Sequence, residues 1–283
     1  MHFPSALVIF LLSGIALAGP KPVDPVARII SIGGANTEIV CALGACDRLV
    51  AVDTTSDFPE SVKKVTKIGY ARSLSVEGIL AQKPTLIILD DDAGPPHVIA
   101  RLNDLKVPVT TVKAGYTIDD ARLRMKQIAA VLGESKRGDD LVANFDSSLA
   151  NLTVFQKDLN KKRVMFIYAR GGKHLMVAGA KTPIATLIGL MGGVNATEGV
   201  EGFKPLTAEA VAAARPDVIL MTKSGAESLG GVTGVFALPG LKITPAAAQN
   251  NLLLDTDLSL LTIGPRTAEV IKQMHMQLKA NKG

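Results

Sequence analysis

The sequence predicts an α/β protein built as two related α/β lobes joined by a single long interlobe helix, with a ligand held in the cleft between them. Three observations lead there. Short β-branched and apolar runs alternate with amphipathic stretches in both halves of the chain, the pattern of layered α/β domains. The alternation breaks once, from Ser135 to about Leu159, where Leu141, Phe145, Leu149, Leu152 and Phe155 fall at helical spacing with no Gly or Pro after Gly138. The segment from Leu74 to Ile87 also aligns without gaps on that from Leu206 to Ile219, with Leu, Ser/Thr, Glu, Ile/Val, Ala, Lys/Arg, Pro and Ile recurring in register. Either any helix-Pro-strand unit looks alike, or the halves are repeats of one design. A weaker echo places Thr37, Leu43 and Gly44 on Thr182, Ile188 and Gly189.

The elements follow in order. Phe3 to Leu17 is an apolar stretch of about 15 residues, shorter than the roughly 20 of a spanning helix. It closes on Ala16-Leu17-Ala18, the small-x-small pattern of signal-peptide cleavage, with no Cys beside it. Residues 1–18 are therefore expected to be a signal peptide, and the exported chain to work in the periplasm. In the N-terminal lobe, 19–134, strands are expected at Arg28 to Ile32, Arg48 to Val52, Leu86 to Leu89 and Val107 to Val112. Helices are expected at Thr37 to Leu43, Leu74 to Gln82, His97 to Leu105 and Ile118 to Leu132, several stopped by Gly or Pro. The interlobe helix takes 135–160. The C-terminal lobe, 161–283, has strand signals at Arg163 to Tyr168, Leu175 to Val177 and Val218 to Met221, and helix signals at Pro183 to Met191, Ala208 to Ala214 and Pro265 to about Ala280.

Composition removes several function classes. The 283 residues are 47% hydrophobic and 20% charged, which is globular and not disordered. The formal charge of +5 is scattered, and there is no Trp, so neither a basic tail nor an aromatic stacking platform for nucleic acid is available. No G-x-S-x-G, P-loop, G-x-G-x-x-G or H-E-x-x-H motif is present, which gives an enzyme reading little support. Gly33-Gly34 fits a tight strand-to-helix turn. Asp90-Asp91-Asp92 fits a solvated strand end better than a cation site. The two cysteines, Cys41 and Cys46, flank Gly44, and either a bridge across a tight turn or two buried thiols is compatible with that spacing.

Of the four histidines, His2 falls in the signal peptide, His97 near a helix start and His275 in the last helix. His174 lies in the polar turn Arg170-Gly171-Gly172-Lys173-His174 between two expected strands, where loops carry ligands. The sharpest local feature is Gly69-Tyr70-Ala71-Arg72, just before a helix. It places a phenol near a guanidinium. Phenolate is a hard ligand suited to ferric iron, including haem iron, and Arg can add a charge-assisted hydrogen bond.

Gly69-Tyr70-Ala71-Arg72-Ser73-Leu74-Ser75-Val76-Glu77-Gly78-Ile79-Leu80, followed by Lys83-Pro84-Thr85-Leu86-Ile87-Ile88, resembles the haem-ligand segment of the periplasmic haemin-binding proteins of bacterial haem ABC importers. The similarity extends to Arg28-Ile29-Ile30-Ser31-Ile32-Gly33-Gly34, Ala42-Leu43-Gly44, Met176-Val177-Ala178-Gly179 and Gly192-Gly193-Val194-Asn195. The Gly-Tyr-x-Arg element is fairly specific to the haem branch; the rest is shared with siderophore and cobalamin carriers. The resemblance implies a monomeric carrier with two lobes bridged by one helix, Tyr70 as axial ligand of Fe(III) haem, and Arg72 supporting the phenolate or a propionate. His174 is the candidate for a further ligand from the second lobe. Glu77 and Glu209, equivalent in the echo, would dock onto an inner-membrane ABC permease served by its ATPase. An outer-membrane haem receptor would stand upstream. The alternative cargoes on the same fold are a siderophore or cobalamin, and a secreted metal-dependent enzyme using Asp90 to Asp92 is the distant alternative.

Overall fold

The computed structural model describes residues 28–154, 159–170 and 174–280. The expected signal peptide lies outside these residues. Five parallel strands, β1 (Ile29–Ile32), β2 (Leu49–Val52), β3 (Thr66–Lys67), β4 (Leu86–Asp90) and β5 (Val109–Val112), form the first sheet in the order β3-β2-β1-β4-β5. Its inner strands read as apolar runs, interrupted only by Ser31 in β1 before Asp90 closes β4, because both faces are covered. In β1 and β4, Ile29, Leu86 and Ile88 face one core while Ile30, Ile32, Ile87 and Leu89 face another, the period of two that a strand imposes. The covering helices are α1 (Gly34–Ala42), α2 (Val76–Leu80), α3 (Pro96–Asp104) and α4 (Ile118–Val131). A capping box of Thr117 and Asp120 starts α4.

The second sheet runs β11-β10-β6-β7-β9 through β6 (Arg163–Arg170), β7 (His174–Ala178), β9 (Phe203–Pro205), β10 (Val218–Thr222) and β11 (Leu252–Asp255). A short strand, β8 (Val194–Asn195), pairs with the start of β6. β6, β10 and β11 are parallel, and β7 is antiparallel to both β6 and β9. Its helices include α6 (Pro183–Leu190), α7 (Ala208–Ala214) and α12 (Thr267–Ala280), with four short ones between: α8 (Lys223–Ser228), α9 (Gly231–Phe236), α10 (Pro245–Ala248) and α11 (Asp257–Leu261).

The connecting helix α5 is continuous over Ser135–Ala150 and then tightens into a 3-10 turn at Asn151–Val154, an interruption of the helix expected to about Leu159, of which residues 155–158 lie outside the described residues. Asn, Thr and Val are weak helix formers, and they cluster at this point. Near its start, α5 crosses α4 closely: a Cβ on Gly138 would sit 2.4 Å from the Ala129 Cβ. The two lobes are not separate balls. One core joins Ile29, Ile88, Met125 and Phe145 to Val164, Phe166, Leu220 and Ile271. Such a shared, close-packed core favours small lobe displacements over wide hinging.

The main sequence echo is a repeat in structure. Ser75 and Thr207 cap α2 and α7 in the same way, accepting from the N–H of Gly78 and of Ala210. After each helix the chain turns through a left-handed residue at the equivalent position, Lys83 (φ 48) and Arg215 (φ 43). The weaker echo does not hold. Thr182 caps α6 whereas Thr37 lies inside α1, and the counterpart of the chain-reversing Gly44 is Gly192, since Gly189 is still helical. The turn at Gly44 brings Cys41 and Cys46 to a Cα separation of 4.1 Å, and they form a disulfide.

A candidate ligand cleft between the lobes

A cleft of about 730 Å³ opens where the carboxyl ends of the strands of both sheets meet. Gly33 and Gly34 follow β1, Asp90 ends β4, Tyr168 and Arg170 end β6, Lys223 follows β10, and Asp257 and Leu258 follow β11. Strand ends in α/β sheets carry ligands because the chain there turns outward into loops while the sheet holds it rigid. Gly33 has φ 103, and a Cβ on it would lie 2.2 Å from Asp90 Oδ2. The strand-to-helix turn expected at Gly33-Gly34 is therefore present, and it packs directly on the cleft floor.

Tyr70 is half-buried in the loop before α2 and lines the cleft with Arg72. The loop is pinned: Ser73 N–H donates to the Tyr70 carbonyl at 2.8 Å and Leu74 N–H to the Gly94 carbonyl at 2.9 Å. Arg72 Nη1 donates to Tyr70 Oη at 2.7 Å, and Nη2 pairs with Asp92. Partial burial works against the Arg72 charge, but Asp92 and then Tyr70 outweigh it and hold the guanidinium above its ordinary value. The phenol oxygen thus faces the cleft as an acceptor beside a fixed positive charge, the environment a phenolate ligand needs. From the other lobe, Arg170 places its guanidinium carbon 5.8 Å from the Tyr70 ring centroid.

Tyr168, which the sequence reading did not single out, also lines the cleft from the second lobe, its ring edge-on to Phe203 at 6.4 Å. Burial, followed by the Asp257 charge, pushes its phenol above the usual value. His174 is not brought to the cleft wall: it is exposed at the start of β7, paired across the strands with Arg170. Glu77 and Glu209 lie outside the cleft, exposed in the first turns of α2 and α7, one on each lobe.

The three aspartates at the end of β4 have separate partners and do not form a cation site. Asp92 pairs with Arg72, Asp91 Oδ1 accepts from Ala114 N–H at 3.0 Å, and Asp90 Oδ1 accepts from Asn36 Nδ2 at 2.9 Å. Among the described residues no cluster of His, Cys, Asp and Glu suits a metal ion. Only part of the run is a solvated strand end, because Asp90 is largely buried. Burial is the chief cause that raises Asp90 to about 6, with Arg124 opposing it and Asp92 adding repulsion. A carboxyl raised on folding contributes its stability below the ordinary value and loses it as the pH climbs through the folded value. Asp90→Asn is therefore expected to stabilise the apo protein at about pH 7.5 by up to about 3 kcal/mol, and to make no difference near pH 4. Urea unfolding at both pH values checks this; a variant no more stable than wild type at the higher pH contradicts it.

Comparison with known proteins agrees with this architecture. Residues 29–257 match the model of the family described as periplasmic binding protein. The chain belongs to that family. This periplasmic binding protein superposes on the periplasmic heme-binding protein RhuT from Roseiflexus sp. RS-1 with a TM-score of 0.86 and 37% identity, over 91% of this chain and 99% of that one. It superposes on the periplasmic heme-binding protein BhuT, solved with two hemes, with a TM-score of 0.84 and 33% identity, over 91% and 99% of the two chains. It is 27% identical over 248 residues to the vitamin B12-binding protein of Yersinia pseudotuberculosis, 87% of this chain and 85% of that protein. As a periplasmic binding protein it is a substrate-binding component of transport and not an enzyme.

Proposed function

We propose that this protein captures ferric haem in the interlobe cleft, with Tyr70 as the axial iron ligand and Arg72 holding the phenolate oxygen. In this reading it acts as a monomer in the periplasm, after removal of residues 1–18, downstream of an outer-membrane receptor. It then delivers haem to an inner-membrane ABC permease. The observation that carries the reading is the Arg72 to Tyr70 hydrogen bond at 2.7 Å inside a cleft lined from both lobes. The cleft volume of about 730 Å³ falls in the range of about 300 to 1,000 Å³ of small-molecule sites. The heme-binding proteins among the structural neighbours support the same cargo. His174 is left at the rim, beside Arg170, and the iron is assigned to Tyr70.

The match to a vitamin B12-binding protein makes cobalamin the competing cargo, and calorimetric titration decides between them. Haemin is expected to bind stoichiometrically and cyanocobalamin not to bind; the reverse order would move the assignment to cobalamin.

Delivery is assigned to Glu77 and Glu209. They occupy the same position in equivalent helix first turns on opposite lobes, so they present two matched negative charges to a permease carrying complementary basic groups. Exchanging both for Lys is expected to leave haem affinity unchanged and to abolish haem-dependent growth. Normal growth of the double variant would remove the docking role.

A further inference from the structure

Four cationic side chains line the cleft, and the two lobes treat theirs differently. On the N-terminal side, Arg72 is paired with Asp92, and the buried Arg124 lies in the field of Asp90, Asp91, Asp120 and Asp92. On the C-terminal side, Arg170 and Lys223 are exposed to the cleft, and neither has an ion-pair partner among the described residues. The acid on that wall, Asp257, accepts a hydrogen bond from Ser224 at 2.8 Å.

The fold places these two cations together. β10 runs parallel to β6 with Met221 opposite Ile167, so Lys223, just past the end of β10, comes level with Ala169, next to Arg170 at the end of β6. Adjacent strands lie about 4.8 Å apart. The helix that Lys223 opens packs on the same strand end: a Cβ on Gly225 would lie 3.2 Å from the Ala169 carbonyl oxygen. Two neighbouring cations without ion-pair partners, one of them over the Tyr70 ring, facing a cavity and fixed to a sheet, suit a ligand with two carboxylates on one edge.

Resting on the haem reading above, we infer that Arg170 and Lys223 form a dicarboxylate receptor that takes the paired propionates of the cargo. The lobes then divide the recognition. The N-terminal lobe holds the metal centre through Tyr70, and the C-terminal lobe selects the anionic edge. Neutral-edged tetrapyrroles are discriminated against, since the amide side chains of cobalamin offer these cations no negative charge. Arg72 is the less suited cation, because its charge is already paired with Asp92 and one N–H of each terminal nitrogen is spent on Tyr70 and Asp92.

The test compares Fe(III) protoporphyrin IX with its dimethyl ester in Soret titrations of wild type, Arg170→Gln, Lys223→Gln and the double variant. Wild type is expected to favour the free acid by about a hundredfold, and each single variant to lose roughly tenfold on the acid only. The double variant should bind acid and ester alike, and its retained phenolate spectrum shows that Tyr70 and the fold are intact. Equal wild-type affinity for acid and ester, with a phenolate spectrum in both, overturns the receptor while leaving the haem reading standing. Equal losses on acid and ester in the variants also overturn it. Absence of a phenolate spectrum with either porphyrin removes both proposals.

Discussion

Tyr70→Phe is expected to abolish the ferric phenolate charge-transfer band and to weaken haemin binding by more than about a hundredfold, beyond the roughly 10- to 100-fold carried by supporting groups around a metal. The substitution keeps the ring under Arg170 and deletes only the oxygen that accepts from Arg72. Loss of the band therefore reports coordination and not a collapsed loop. Arg72→Gln, which leaves the phenol in place, falls within the supporting range and keeps a shifted band. A Tyr70→Phe protein with the wild-type spectrum and affinity would take the iron away from this residue and send the search across the cleft to Tyr168.

Arg266→Met is expected to cost about 3 kcal/mol of stability near neutral pH, because it leaves a buried carboxylate without its counter-charge. Glu38, only 6% exposed on α1, accepts from the Arg266 backbone N–H at 3.0 Å and pairs with Nε at 3.2 Å, while the Arg266 guanidinium lies 3.4 Å from the centroid of Phe58. These contacts tie the first lobe to the loop before α12 in the second. Burial raises Glu38 above the ordinary carboxylate value despite the Arg266 charge. Removing that charge raises it further. The penalty of the variant should accordingly shrink as the pH falls and Glu38 takes up a proton. Adding Glu38→Gln should recover much of the loss at neutral pH. Urea unfolding of the single and double variants measures both effects; a single variant as stable as wild type would show that the pair contributes nothing to holding the lobes.

The first lobe was largely legible because its inner strands β1, β2 and β4 are buried and its helices stop near Gly or Pro, so apolar runs and stops coincide with element boundaries; the exposed two-residue edge strand β3 has no such run. The repeat was legible for the same reason, down to Lys83 and Arg215. The region 223–261 was not. Its helices, α8 to α11, have four to six residues each, too few for a 3.6-residue period to show. That region supplies Lys223, Ser224, Asp257 and Leu258, so most of the C-terminal wall of the cleft had no sequence signal. The apolar run Leu252-Leu253-Leu254 between Asn251 and Asp255 was the available signal for β11.

Within the site, the spacing of Tyr70 and Arg72 in a pre-helix loop was enough to bring phenol and guanidinium together, because a short turn leaves them few alternatives. Tyr168 was missed although it sits at the end of an expected strand; only its placement opposite Tyr70 gives it meaning. His174 opens the strand that follows the turn, exposed and opposite Arg170, at the edge of the cleft's C-terminal wall. Cys41 and Cys46 could not be decided from spacing, since the bridge depends on the backbone turn at Gly44.

The central claim is that ferric haem is held through a phenolate, and the most direct test is the visible spectrum of the full-length protein, freed of cargo, during titration with haemin. A saturating high-spin ferric spectrum with a phenolate charge-transfer band is the predicted result. A Soret band that stays at the position of free haemin throughout the titration would contradict the account.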